Sequence, residues 1–174
     1  MISYDLAELI QRLHNLIRIG TVTEANYSNR RLKISIGEIT TGWLPWLTQK
    51  SFGNINWAPP EVGEQVAVFS PSGDLRKGLV MPSIYQSSQT PSDATPEIES
   101  TTYKDGAKVF YDRSLHNYTI SIPNNGATVN ILSGGTINLN ATKINVNGDL
   151  SVTGSINATG DILAGGSNSN NHSH

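Results

Sequence analysis

A six-residue repeat near the C-terminal end constrains the fold of this chain more than any other feature. Three consecutive units begin at Asn147, Thr153 and Thr159, each with glycine at its second position and Leu or Ile at its fourth. In an extended chain, the second, fourth and sixth positions point to one side. The opposite side of these units carries Asn, Ser, Thr and Asp. The repeat therefore predicts short β-strands with one narrow apolar face.

The apolar face continues upstream, where residues 134–139 and 141–146 place aliphatic residues in the same slots, with Asn140 as one extra residue between them. Burial at about 25 cal/mol per Å² offsets the entropy of ordering such strands only if further apolar surface joins them. Three copies around a common axis supply that surface. We therefore expect an intertwined trimeric β-helix needle over residues 102–165. Its expected core residues are Val129, Ile131, Ile137, Leu139, Ile144, Val146, Leu150, Val152, Ile156 and Ile162.

A single-chain left-handed β-helix, as in hexapeptide acyltransferases, is the alternative arrangement of these units. It requires three units per coil, so this chain would form only about two coils, too few to be stable alone. Its usual pattern also has one dominant aliphatic residue per unit instead of the alternation seen here. The trimer is the favoured interpretation.

The rest of the chain predicts an all-β protein with one small helix. Residues 1–17 carry apolar residues at helical spacing and predict an amphipathic helix, which packs either on its own domain or on a partner. Residues 18–85 alternate short strands with turns, a pattern typical of a small closed barrel of the oligonucleotide/oligosaccharide-binding (OB) type. The composition of residues 86–101 predicts a polar linker. Residues 107–112 and 117–122 then predict a hairpin.

Composition argues against several classes of function. Charged residues make up 15% of the chain, the net charge is −2 and cysteine is absent, which excludes disulfides and thiolate chemistry. Asp5 and Glu8 interrupt the position of a signal-peptide apolar region, and no stretch reaches the ~20 apolar residues of a membrane span. No nucleophile or phosphate-binding motif is present, so we expect no enzymatic activity.

A nucleic-acid-binding barrel is the second functional hypothesis, because Trp43, Trp46 and Trp57 could act as stacking platforms. Residues 18–85, however, hold seven Lys/Arg against five Asp/Glu. This balance is weak for binding a polyanion. We therefore expect no nucleic-acid partner.

The last residues include a His-x-His pair, His172 and His174. Residues two apart face the same side of an extended segment, so three chains on one axis would present six imidazoles. An octahedral nitrogen site suits Fe(II), Ni(II) or Co(II) better than tetrahedral Zn(II). The pair thus indicates a metal site if the needle forms, and a frayed polar tail if it does not. We assign no role to His14 or His116.

Several segments of the barrel together carry a resemblance to a known family. They are Gly-Trp-Leu-Pro-Trp at 42–46, Trp-Ala-Pro-Pro-Glu-Val-Gly-Glu-Gln-Val at 57–66, Gly73-Asp74 and Gly78. With the helix, barrel, linker, repeat and terminal histidines in this order, the whole chain resembles the tail-spike, or baseplate assembly protein V, family of contractile-tailed phages. R-type bacteriocins carry relatives of this family.

The resemblance implies a homotrimer at the tip of a tail tube, made in the bacterial cytoplasm and carried on a virion or bacteriocin particle. Its N-terminal region would contact tail hub and baseplate proteins, and its β-helix would point at the target cell. One iron ion, Fe(II), per trimer would be held by His172 and His174 of three chains. Sheath contraction would then drive the spike through the bacterial outer membrane.

Overall fold

The computed structural model describes residues 6–91 and 93–162. The described chain is mostly β with one short α-helix, and it divides into two compact units, Met1–Asn125 and Gly126–His174. Among the described residues, no helix has the length and apolarity to cross a membrane.

The helix α1 spans Leu6–His14 and is supported by an ion pair from Arg12 to Glu8, one turn apart, at 2.8 Å. It ends earlier than the predicted bound of residue 17. Ile17 instead begins a strand and pairs with Phe69, so its backbone belongs to the sheet. The helical spacing of Ile17 was misleading, because an apolar residue at the boundary fits the 3.6-residue period of the helix before it as well as the two-residue period of the strand that it begins. Residues 1–5 of the predicted helix lie outside the described part of the chain.

The first seven strands after α1 are β1 Ile17–Asn26, β2 Arg31–Ile36, β3 Ile39–Thr40, β4 Ser51–Phe52, β5 Asn54–Ile55, β6 Gln65–Phe69 and β7 Leu79–Met81. Five of them form one antiparallel sheet in the order β3-β2-β1-β6-β7, and β4 and β5 form a separate hairpin. A register shift in β1 between Val22 and Glu24 bends this long strand across the sheet.

Residues 41–47 close this sheet into a barrel. Leu44 exchanges two backbone hydrogen bonds with Leu32 of β2, with N···O distances of 2.8 and 2.9 Å. Slightly further along, the Val80 amide donates to the Pro45 carbonyl at 2.9 Å, and the Leu47 amide donates to the Val80 carbonyl at 2.8 Å. The segment therefore lies between the edge strand β7 and the part of β2 that the short edge strand β3 does not cover. The predicted OB-type barrel is confirmed.

The barrel interior is filled by aliphatic residues that alternate along the strands. They are Val22, Leu32, Ile34, Ile36, Leu44, Val66, Val68 and Val80. Gly20 permits the close approach of β1 to β2, because a Cβ there would lie 2.5 Å from the Ser35 carbonyl oxygen and 2.6 Å from Ile34 Cγ2.

A second sheet of the first unit contains β8 Ile98–Thr102, β9 Lys108–Asp112 and β10 Asn117–Ser121, in the order β10-β9-β8. Strands β9 and β10 match the predicted hairpin. Strand β8 was missed and lies partly inside the predicted linker over 86–101, because its polar, mostly exposed side chains give no apolar alternation. The three strands belong to the first unit, so the repeat-bearing unit begins at Gly126 and not at the predicted residue 102.

The described part of the second unit, residues 126–162, contains no helix or paired strand, and none of its residues is buried. Gly148 and Gly154 are six residues apart and have nearly identical φ angles of +138° and +140°. Glycine is required for such angles. The first two hexads thus share this backbone conformation at their glycine, whereas Gly160 of the third has no positive φ.

Replacing Leu44 by alanine should destabilise the barrel by about 2–5 kcal/mol, because it leaves a cavity beside the closing hydrogen bonds. The measurement is the free energy of unfolding from a urea titration followed by tryptophan fluorescence. Leu47→Ala is the matched control, since Leu47 lies in the same segment but is 45% exposed, and it should cost about 1 kcal/mol or less. Equal losses in both variants would contradict the proposed role of the closing segment.

Candidate functional site

The largest unpartnered surface of the described chain is the apolar face of the repeat. All ten predicted core residues are exposed, between 47% for Val152 and 71% for Leu139. Soluble monomers rarely leave so many aliphatic side chains of one segment in water. Chemically, this face can only associate with other apolar surface.

A single-chain β-helix does not account for this segment. That fold would bury one aliphatic side chain of each unit and pair successive coils within the chain. Residues 126–162 show neither burial nor paired strands. Among the described residues, none covers this apolar face.

The three tryptophans do not form a common stacking platform. Trp46 packs against the barrel core and against Trp57, whose ring centre is 5.9 Å away at an interplanar angle of 58°. The Trp43 ring lies under the Lys33 ammonium at 4.8 Å, and Lys33 also binds Glu24 at 3.0 Å. The nucleic-acid-binding hypothesis is not favoured by this arrangement.

The motif at 57–66 builds the barrel wall. Pro60 is fully buried, and its carbonyl accepts a hydrogen bond from the Tyr27 hydroxyl at 3.3 Å. Gly63 has φ +94° and donates its amide to the Val22 carbonyl at 2.9 Å. The Glu64 carboxylate accepts from the Glu61 amide at 2.9 Å. These residues hold a tight turn before β6, so their role is structural.

The motif Gly73-Asp74 positions α1 on the barrel. A Cβ on Gly73, which has φ +71°, would lie 2.2 Å from the Arg12 carbonyl oxygen, so only glycine permits this helix contact. The Asp74 carboxylate accepts hydrogen bonds from the Arg76 guanidinium at 3.0 and 3.1 Å and from the Arg76 amide at 3.1 Å. These bonds, the guanidinium bonds foremost, hold the pKa of Asp74 below its usual value.

A shallow apolar groove lies beside α1, which we call the α1 groove; its lining residues are Leu9, Arg12, Leu13, Leu16 and Ser72. Its volume is about 290 Å³. Leu9 and Leu13 are 54% and 64% exposed. The helix thus contacts its own barrel through backbone at Gly73 and leaves its apolar side chains available to a partner.

A larger polar cleft of about 810 Å³ lies elsewhere in the first unit, between residues 59–64, 83–89 and 102–104. An ion pair from Lys104 to Glu61 crosses it, and the Glu61 carboxylate raises the pKa of Lys104. The described residues contain no group of three or more His, Cys, Asp or Glu side chains placed to hold a metal ion. The predicted metal ligands, His172 and His174, lie outside the described residues.

Comparison with known proteins identifies the barrel. Residues 18–85 match the family of type VI secretion system/phage-baseplate injector OB domains. The chain is also 30% identical over 117 residues to the spike protein of Escherichia phage P2, an alignment covering 67% of this chain and 56% of that relative. This chain belongs to the baseplate spike family.

The chain spans only about half the length of its spike relative. The family match covers the closed barrel, which explains why its recognisable residues, such as Pro60, Gly63 and Gly73, are those that build barrel turns. The exposed α1 groove was missed at the sequence level. A helical stripe shows that a face is apolar, but not whether the same chain covers it.

Because the pKa of Asp74 is lowered by folding, its bonds to Arg76 stabilise the protein above the unfolded value of about 3.9 and are lost as the pH falls through the lower folded value. Asp74→Asn should therefore reduce stability at neutral pH, and the difference from wild type should shrink below about pH 3.9 and disappear once the pH is below the lowered folded pKa of Asp74. Thermal unfolding across pH measures this. Asp149→Asn, in the second unit, controls for the loss of one negative charge and should leave barrel unfolding unchanged.

Proposed function

We propose that this chain is the cell-puncturing spike at the tip of a contractile tail, with a structural and not a catalytic role. The observation that carries the proposal is the set of ten apolar residues within 129–162, each 47–71% exposed in one chain, on a protein whose barrel belongs to the injector OB family. A surface of this kind beside a baseplate barrel is suited to a needle made from several copies.

Three copies are the natural number for the needle. Each chain contributes one narrow apolar face, and three such faces around an axis enclose a core without leaving a sheet edge open. Positive φ angles at Gly148 and Gly154 let the backbone turn a corner once per unit. Interchain hydrogen bonds would satisfy the extended backbone and resist axial load.

The outer surface of the needle suits passage through a bacterial outer membrane. Between residues 126 and 162 the charged residues are Lys143, Asp149 and Asp161, and the remaining outward positions are mainly Asn, Ser and Thr. Such a surface is weakly charged and rich in hydroxyl groups, so it offers few charges to attract lipid head groups. The tail hub and baseplate proteins are the proposed partners of the N-terminal region.

The tip of the needle is proposed to hold one transition metal ion per trimer, Fe(II), through His172 and His174 of three chains. Six neutral imidazoles would give octahedral coordination. The ion would fasten three chain ends that otherwise fray under load.

Leu150→Asp should abolish the trimer, because it places three carboxylates in the apolar core at a cost of several kcal/mol each. Native mass spectrometry of the wild type should show a species of three times 18.8 kDa, that is 56.4 kDa. The matched control is the neighbouring variant Ser151→Asp, which lies on the opposite face and should remain trimeric.

The same pair of variants tests the tail function. Particles assembled with the Ser151→Asp variant should kill or infect their target cells. Particles assembled in the presence of the Leu150→Asp variant should lack the spike at the tail tip. A monomeric wild type, or full particle activity with Leu150→Asp, would rule out the needle.

Substituting alanine at His172 and His174 together should lower the metal content from one ion per trimer to near zero, measured by elemental mass spectrometry. Acid should have the same effect on the wild type as the pH falls through about 6.5, since only neutral imidazole binds a metal. His116→Ala, in the β9–β10 turn, is the control and should keep the ion. Metal retained by the wild type at about pH 4 would argue against imidazole ligation.

A further inference from the structure

The needle leaves two apolar features of the first unit unexplained: the α1 groove and the tip of the β4–β5 hairpin. Phe52 at the tip is 97% exposed, and Ile55 beside it is 75% exposed. These features are of opposite shape, one concave and one convex. They are also both on every copy of the chain.

The hairpin presents a defined knob. Phe52 pairs with Asn54 across Gly53, whose φ of +72° makes the tight turn. Below the tip, the Asn56 amide donates to the Lys50 carbonyl at 3.0 Å. Residues 51–55 carry no charge, so burying the tip would not bury an unpaired charged group.

The groove has the size and chemistry to receive one aromatic ring. An apolar cavity of ~150 Å³ holds a benzene molecule, and the α1 groove offers about 290 Å³ lined by three leucines. The Arg12 guanidinium at its edge is already bound to Glu8 at 2.8 Å. An incoming ring would leave this ion pair intact.

No residue of the described ranges 6–91 and 93–162 fills the α1 groove of its own chain. The bridge between Trp46 and Val80 is parallel, so residues 47–50 leave the barrel toward the Met81 end of β7. The helix α1 packs on residues 71–73, beyond the other end of the β6–β7 pair, where Phe69 pairs with Leu79. The knob and the groove thus belong to opposite ends of the barrel wall.

A cyclic trimer needs contacts of this type. Around a threefold axis each copy must use two different surfaces, one toward each neighbour. We propose that Phe52 of each chain inserts into the α1 groove of the next copy, closing a ring of three barrels. The inference rests on the proposed trimer and identifies the interface through which its first units meet.

A second copy fits better than an unrelated partner, because both halves of the contact are on this chain. Once the second units have joined, the barrels are tethered, and a short tether raises the effective concentration to about the millimolar range. A small interface that is weak between free molecules then becomes occupied.

The absence of cysteine from the sequence permits a direct test. In the full chain, Asn54→Cys places a thiol beside the knob and Ser72→Cys places one at the groove, leaving Phe52 and the leucines intact. A short bismaleimide should convert the double variant into covalent dimers and trimers on a denaturing gel. Each single variant is a matched control. It should run as an uncross-linked single chain on the denaturing gel, because the same residue of two neighbouring copies lies too far apart in a ring for the reagent to join.

Native mass spectrometry of the same samples separates the possible failures. A monomer before cross-linking would overturn the needle and the ring together. A trimer that gives no cross-link, or only an intrachain one, would overturn the ring and leave the needle standing.

A second measurement uses hydrogen exchange of the α1 amides in the trimer. Phe52→Asp should speed their exchange about tenfold by uncovering the groove, whereas Leu115→Asp, at a turn residue 72% exposed, should change nothing. Unchanged α1 exchange in Phe52→Asp would overturn the contact. If that variant also failed to enter tails, the knob would belong to a contact with another tail protein.

Discussion

Two pairs of backbone hydrogen bonds decide the form of the first unit. Leu44 pairs with Leu32 on one side, and Pro45 and Leu47 pair with Val80 on the other. Without them, the five-stranded sheet would have two open sides and its inner face would be wetted. Closure places eight aliphatic side chains in a dry interior, and it positions every loop that projects from the barrel, including the β4–β5 hairpin.

The two units solve the burial of apolar surface in different ways. The barrel encloses its core within one chain, because its strands are joined by short turns and can close on themselves. Residues 126–162 contain no helix or paired strand, and their aliphatic side chains stay exposed. The proposed trimer would cover this face and, through the proposed Phe52 contact, the groove beside α1.

The residues that identify the family are mostly not those that would carry the function. Pro60, Gly63 and Gly73 are recognisable because few other residues satisfy their buried or left-handed positions. The proposed functional surfaces, in contrast, are built from Leu, Ile, Val and Phe, which many exposed or buried positions accept. Family matching therefore finds the barrel more readily than the surfaces it supports.

Local pattern in the sequence determined the helix, most barrel strands, the β9–β10 hairpin and the hexad repeat, because alternation and turn residues act over short distances. It did not determine that Ile17 belongs to β1, that polar β8 joins a sheet, or that residues 41–47 close the barrel. Each of these depends on which distant strand supplies hydrogen bonds. Whether the leucines of α1 are covered was likewise decided only in the tertiary structure, since a helical stripe specifies an apolar face and not the surface that meets it.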